Sequence, residues 1–191
     1  MRETEITVQV LADLDTILAQ LQALGFTKVN EYELHDWYFT SLPTVAKIDY
    51  PTLMKHSFLV REVTGADTKV KLCYKDKEID AHGNVVSEAR ITAPIADLTA
   101  TLKIFRAAKL NHWCALKQAI TVFRQGTTEF ELQVVEGLGI FIEYEANDTM
   151  ADLSPQAKID LMYGELKKLN LPLGDDLSCK KVYLKYLAAN N

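Results

Sequence analysis

The sequence lacks any apolar run approaching ~18 residues, so no membrane-spanning helix is expected. Its opening, Met1-Arg2-Glu3-Thr4-Glu5, has no apolar stretch of the kind that marks a secretory leader. Cysteine is scarce. Cys73, Cys114 and Cys179 are the whole set, odd in number and without metal-site spacing, which predicts reduced thiols and a cytoplasmic protein. No P-loop, Rossmann fingerprint or nucleophile elbow occurs. An excess of basic residues is missing too: the net charge of -5 argues against nucleic acid or a membrane surface as partner. It still leaves room for a local basic pocket that takes a small anion. His35, His56, His82 and His112 are scattered, so none is assigned as a base and the catalytic residue stays unknown.

What is present is an ordinary soluble composition, 48% hydrophobic and 25% charged over 191 residues. With no repeat, low-complexity tract or linker, a single domain over residues 1–191 is expected. Period-two alternation predicts strands at 3–10, 27–39, 56–64, 68–76, 85–92, 112–124, 127–135 and 139–146. A helix follows Asp13, with Leu14, Leu18 and Leu21 as its apolar stripe and Gly25 as its stop. Others are expected over 95–109, after Ser154-Pro155, and over 177–188. Pro43 and Pro51 punctuate 41–52, read as a loop, and 80–84 reads as a turn. Many strands joined by short turns favour an antiparallel α+β sheet or barrel.

The charges on these strands fall in phase. Lys69, Lys71, Cys73, Lys75 and Lys77 share one face of 68–77, with Val70, Leu72 and Tyr74 on the other. Glu129, Glu131 and Gln133 share a face of 127–135, Glu143 and Glu145 share a face of 139–146, and the first strand offers Glu3 and Glu5. Two arrangements suit this pattern: a half-exposed sheet with its charges in water, or a barrel with a charged interior and helices on its apolar outside. The second has a chemical use. Cations neutralise phosphate oxygens, and carboxylates hold Mg2+ or Mn2+, hard ions that prefer oxygen.

Two segments tip the choice. The chain opens with Glu3-x-Glu5, and far downstream reads Glu136-Gly137-Leu138-Gly139-Ile140-Phe141-Ile142-Glu143-Tyr144-Glu145. With the intervening Tyr74-Lys75, this resembles the CYTH superfamily, named for class IV adenylate cyclases and thiamine triphosphatases, over about residues 1–150. The resemblance implies a closed antiparallel eight-stranded β-barrel, a triphosphate tunnel, with flanking helices. It implies metal ligands at Glu3, Glu5, Glu143 and Glu145, and phosphate contacts from Arg61, Lys75 and Lys117.

The chain also departs from that pattern. Thr7, Leu59 and Ala119 stand where the family has a lysine and two arginines, and Gln133 where it has an aspartate. Glu131 can replace the aspartate, and Lys69, Lys71 and Arg90 can compensate for lost cations. Each missing contact to a charged phosphate is worth ~1.5–3 kcal/mol. The resulting expectation is a metal-dependent phosphohydrolase acting on a triphosphate or nucleotide, with adenylate cyclase-like cyclisation as the related chemistry. The alternative is a non-catalytic module that binds a nucleotide, polyphosphate or other anion.

Overall fold

The computed structural model describes residues 3–43, 45, 48–80, 85–178 and 180–190. Residues 81–84 of the expected turn, with His82, and also Cys179, lie outside the described residues. The elements in chain order are β1 (Glu5–Val10), α1 (Leu14–Ala23), β2 (Thr27–Thr40), α2 (Tyr50–Lys55), β3 (Ser57–Thr64), β4 (Lys69–Ile79) and β5 (Val85–Pro94). They continue with α3 (Leu98–Ala107), β6 (Asn111–Gln125), β7 (Thr128–Val135), β8 (Gly139–Glu145), α4 (Pro155–Lys167) and α5 (Lys181–Asn190). The fold is therefore α+β, with an eight-stranded sheet in the order β1-β8-β7-β6-β2-β3-β4-β5. The β1–β8, β2–β3, β3–β4, β4–β5, β6–β7 and β7–β8 ladders are all antiparallel. The order has two ends, β1 and β5. The outer edge of β1 is taken by the segment 172–178: Thr7 N–H donates to Leu177 O at 2.9 Å and Gly174 N–H to Gln9 O at 2.8 Å.

The chain forms two compact units. The described residues of one lie in 3–32 and 118–180, and those of the other in 33–117 and 181–190. In the first, the apolar faces of β1, β7 and β8 bury Ile6, Val8, Phe130, Leu132, Ile142 and Tyr144 with Met162 and Leu166 of α4. Helix α1 joins this core through Ile17 and Leu21, both fully buried. Leu14 and Leu18 are exposed instead, so the helix presents a stripe turned from the expected one. Asp13 caps it by accepting from Thr16 N–H at 2.8 Å, and Gly25 follows its end at φ 84°, a backbone that glycine adopts without strain.

In the second unit, Phe39 and Phe58 pack with Phe105 of α3, ring centroids 5.1 and 5.3 Å away. Trp113 stacks near Tyr38 and Tyr186, and its indole N–H donates to Ser57 Oγ at 3.0 Å. Part of the expected loop at 41–52 is helical: Asp49 caps α2 by accepting from Thr52 N–H at 3.0 Å. Pro51 sits in the first turn, where no intrahelical N–H partner is lost. Cys73 and Cys114 are buried free thiols, and burial pushes Cys114 up to about 11.

Candidate functional site

In the first unit the register of four strands lays the charged residues out as rows. Glu145 stands opposite Glu5, and Glu143 opposite Thr7. Glu131 stands opposite Glu143, and Gln133 opposite Phe141. Val122 stands opposite Glu131, and Arg124 opposite Glu129. These side chains share one sheet face because a strand alternates with period two. Glu129, Glu131, Glu143 and Glu145 line a cavity of about 110 Å³ with Val122 and Phe130.

Glu5, Glu143 and Glu145 each offer one carboxylate oxygen, all within 4.8 Å of one another. Three such oxygens fit a hard divalent cation, which offsets their mutual repulsion. Glu3 is exposed, just ahead of β1, and is not one of that group. Glu131 is engaged on both oxygens: Tyr32 O–H donates to Oε1, and Gln133 Nε2 donates to Oε2 at 2.7 Å. Thr7 Oγ1 donates weakly to Glu143 Oε2 at 3.4 Å. Arg124 forms an ion pair with Glu129 at the row's end.

In the second unit the charged face of β4 and β5 encloses a carboxylate. The outer pair Tyr74 and Ile91, opposite each other in the ladder, are 36% and 67% exposed. On the other face Glu88 has no exposed side-chain surface. Its Oε1 accepts from Lys75 Nζ at 2.9 Å and Arg90 Nε at 2.6 Å, and its Oε2 from Lys77 Nζ at 2.6 Å. Burial raises its carboxyl, but Lys75, Lys77 and Arg90 outweigh that and hold it well below the usual carboxylate range.

A second buried carboxylate repeats the device. Asp36 is fully buried and accepts from Arg61 Nε and Nη2, both at 2.7 Å. This planar, two-pronged contact fixes the guanidinium. Lys71 is half-buried opposite Arg61. Leu59, in the same row system, is 2% exposed and stands opposite Tyr38 and Cys73. Lys117 is exposed. In the first unit, Ala119 stands opposite Val134 and so lies on the face away from Glu131 and Gln133.

Sequence reasoning singled out the glutamates and most of the cations, but not Asp36, Glu88 or Arg124. Glu88 could have been found: it shares period-two phase with Arg90, and the β4–β5 ladder sets it opposite Lys77.

No family model matches the chain. A Methanocaldococcus jannaschii protein described as a putative adenylate cyclase is 25% identical over 186 residues, covering 97% of this chain and 98% of its own. Among solved structures, the PH1819 protein of Pyrococcus horikoshii superposes with a TM-score of 0.69 at 19% identity, over 99% of both chains. A Hippeastrum protein described as a putative adenylyl cyclase with a dominant triphosphatase activity gives a TM-score of 0.61 at 15% identity, over 98% of this chain and 96% of its own. Shared fold, full-length sequence similarity and the late glutamate motif support the resemblance of this chain to the CYTH-like superfamily.

Proposed function

We propose that this protein is a metal-dependent phosphohydrolase acting on a triphosphate or nucleoside triphosphate. The observation that carries the reading is the gathering of Glu5, Glu143 and Glu145 oxygens within 4.8 Å. In this reading these three residues hold Mg2+ or Mn2+, and Arg61, Lys71, Lys75 and Arg90 contact phosphate oxygens. A bound ion of that kind supplies an oriented water and offsets developing phosphoryl charge. Arg61, held by Asp36, and Lys75 and Arg90, held by Glu88, contribute fixed positive charge, which needs no reorganisation as charge moves to the leaving group. Glu131, held by Tyr32 and Gln133, orients the carboxylate row and is not required as a ligand. Enclosure of the charged faces in a closed tunnel, action as one domain and a cytoplasmic location belong to the same proposal.

The triphosphatase activity reported for the Hippeastrum protein supports hydrolysis, and the name of the M. jannaschii relative supports a nucleoside triphosphate. The second reading, a binding module, draws on Leu59 and Thr7. Leu59 is buried opposite Tyr38 and Cys73, and Thr7 offers a hydroxyl where a cation is expected. A phosphate-release screen separates the two. Tripolyphosphate, ATP, GTP and thiamine triphosphate are incubated with Mg2+, Mn2+ or a chelator, and orthophosphate, pyrophosphate and cyclic nucleotide are measured. Metal-dependent release supports the enzyme; calorimetric binding with no product from any substrate supports the module.

A further inference from the structure

Arg61 stands on β3 between Asp36 of β2 and Lys71 of β4, at facing positions of one row. Asp36 lies deeper: its side chain has no exposed surface, while that of Arg61 is 19% exposed. The two Asp36 oxygens accept from Arg61 Nε and Nη2, both at 2.7 Å. A contact through both oxygens fixes the plane of the guanidinium as well as its position. It engages one edge of the group, and a guanidinium carries more donors than that edge supplies. Burying a carboxylate this completely carries a desolvation cost, and an apolar pair of similar volume often serves packing as well. Fold stability alone is therefore a weak reason for the pair. What the pair does fix is the direction in which a partly exposed cation points.

We propose that Asp36 is a positioning residue that aims Arg61 at a phosphoryl group of the ligand. This rests on the reading that the protein binds a triphosphate through Arg61. Lys71, next in the row and half-buried, adds a second cation on the same face. A guanidinium matches phosphate oxygens through its planar fork, and one held in place before the ligand arrives loses less side-chain freedom on binding. Coulomb's law alone gives Asp36 the opposite effect. A carboxylate beside the cation weakens its attraction for any anion, so removing that charge would tighten binding. The two effects therefore differ in sign. Asp36 acts through its contact with Arg61, whatever further groups Arg61 touches.

The test is a double-mutant cycle on tripolyphosphate binding, read by calorimetry at fixed pH and ionic strength. Wild type, Asp36→Asn, Arg61→Gln and the double variant are compared, each confirmed folded. Asp36→Asn keeps the shape of the side chain and removes its charge. It is expected to weaken binding at least about fivefold when Arg61 is present, and to cost less than about twofold when Arg61 is Gln. A purely structural effect of Asp36 would be felt in both backgrounds. Unchanged or tighter binding by Asp36→Asn, or an equal loss in both backgrounds, overturns the inference. Should Asp36→Asn fail to fold, NMR of the arginine Nε–H groups in wild type takes its place, with Arg61 assigned by comparison with Arg61→Lys. An Arg61 Nε–H that exchanges slowly with water before ligand is added, and shifts on tripolyphosphate binding, supports the role. One that exchanges freely, or does not move at saturation, overturns it. Wild type that does not bind tripolyphosphate at all overturns the triphosphate reading itself, an outcome distinct from wild type that binds no better than Asp36→Asn.

Discussion

Glu5 and Glu145 stand directly opposite each other in the β1–β8 ladder, like charges on facing positions of an antiparallel pair. Such pairs cost up to about 1 kcal/mol unless something offsets them. Glu143 adds a third oxygen within 4.8 Å, so repulsion concentrates where a divalent ion would relieve it. Replacing Glu143 and Glu145 with Gln is expected to raise metal-free stability by about 0.5–1 kcal/mol. The same change is expected to abolish stabilisation by Mn2+, which in wild type is expected to reach about 2.7 kcal/mol at a roughly hundredfold excess over Kd. Thermal melts with and without Mn2+ measure both effects. An equal Mn2+ shift in the variant would remove these glutamates from the metal site.

Glu88 gives a pH prediction with a definite sign. Its carboxyl is depressed in the folded protein, so its contribution is present above the ordinary glutamate value and is lost as pH falls through the folded value. Glu88→Gln is expected to cost about 3–5 kcal/mol near neutrality, since it removes the buried carboxylate that Lys75, Lys77 and Arg90 share. The deficit should shrink as pH drops below about 4.5, where unfolded wild type begins to bind a proton that the folded chain refuses. Urea unfolding from about pH 7 down to about pH 3 tests the slope, and a deficit that stays constant over this range contradicts the assignment.

Tyr32→Phe removes one of the two donors that hold Glu131 and leaves Gln133 as the other. Hydrogen bonds to a charged group are worth about 1.5–3 kcal/mol, and a loss at the low end is expected because Tyr32 is only half-buried. Denaturant unfolding reads the loss. The Mn2+ shift should survive, since Glu131 is not among the three grouped oxygens. Its disappearance would place Glu131 in the metal site.

Restoring the two missing arginines should have opposite outcomes. Leu59 is 2% exposed, so Leu59→Arg buries a charge without a prepared partner and is expected to destabilise by about 3 kcal/mol or more. Ala119 is exposed and faces away from the carboxylate row, so Ala119→Arg should change stability by less than about 0.5 kcal/mol. It should leave tripolyphosphate affinity unchanged. A gain in affinity from Ala119→Arg would show that the face assigned to it from the β6–β7 ladder is wrong.

Local periodicity was enough to place all eight strands, because alternation is written in adjacent residues and survives any packing. The same holds for the caps at Asp13 and Ser154, whose side chains accept from N–H groups three residues on. The carboxylate positions were legible for a related reason: Glu143 and Glu145 lie two apart on one strand, and their long motif fixes their phase. Helix α2 was not legible, because proline breaks a helix interior yet starts one equally well, and only the Asp49 cap decides between them. Nor could sequence tell which leucines of α1 face inward, since Leu14, Ile17, Leu18 and Leu21 offer two overlapping stripes.

Tertiary structure decided how deeply each group on β4 and β5 lies. Alternation gives two faces but no inside, and here the usual rule is reversed, with Ile91 exposed and Glu88 enclosed. It also decided that Arg61 and the Lys75–Arg90 cluster are held by carboxylates from other positions, Asp36 and Glu88. Those pairings depend on strand register between segments up to 25 residues apart, and register is set by the whole ladder and not by any one strand's sequence.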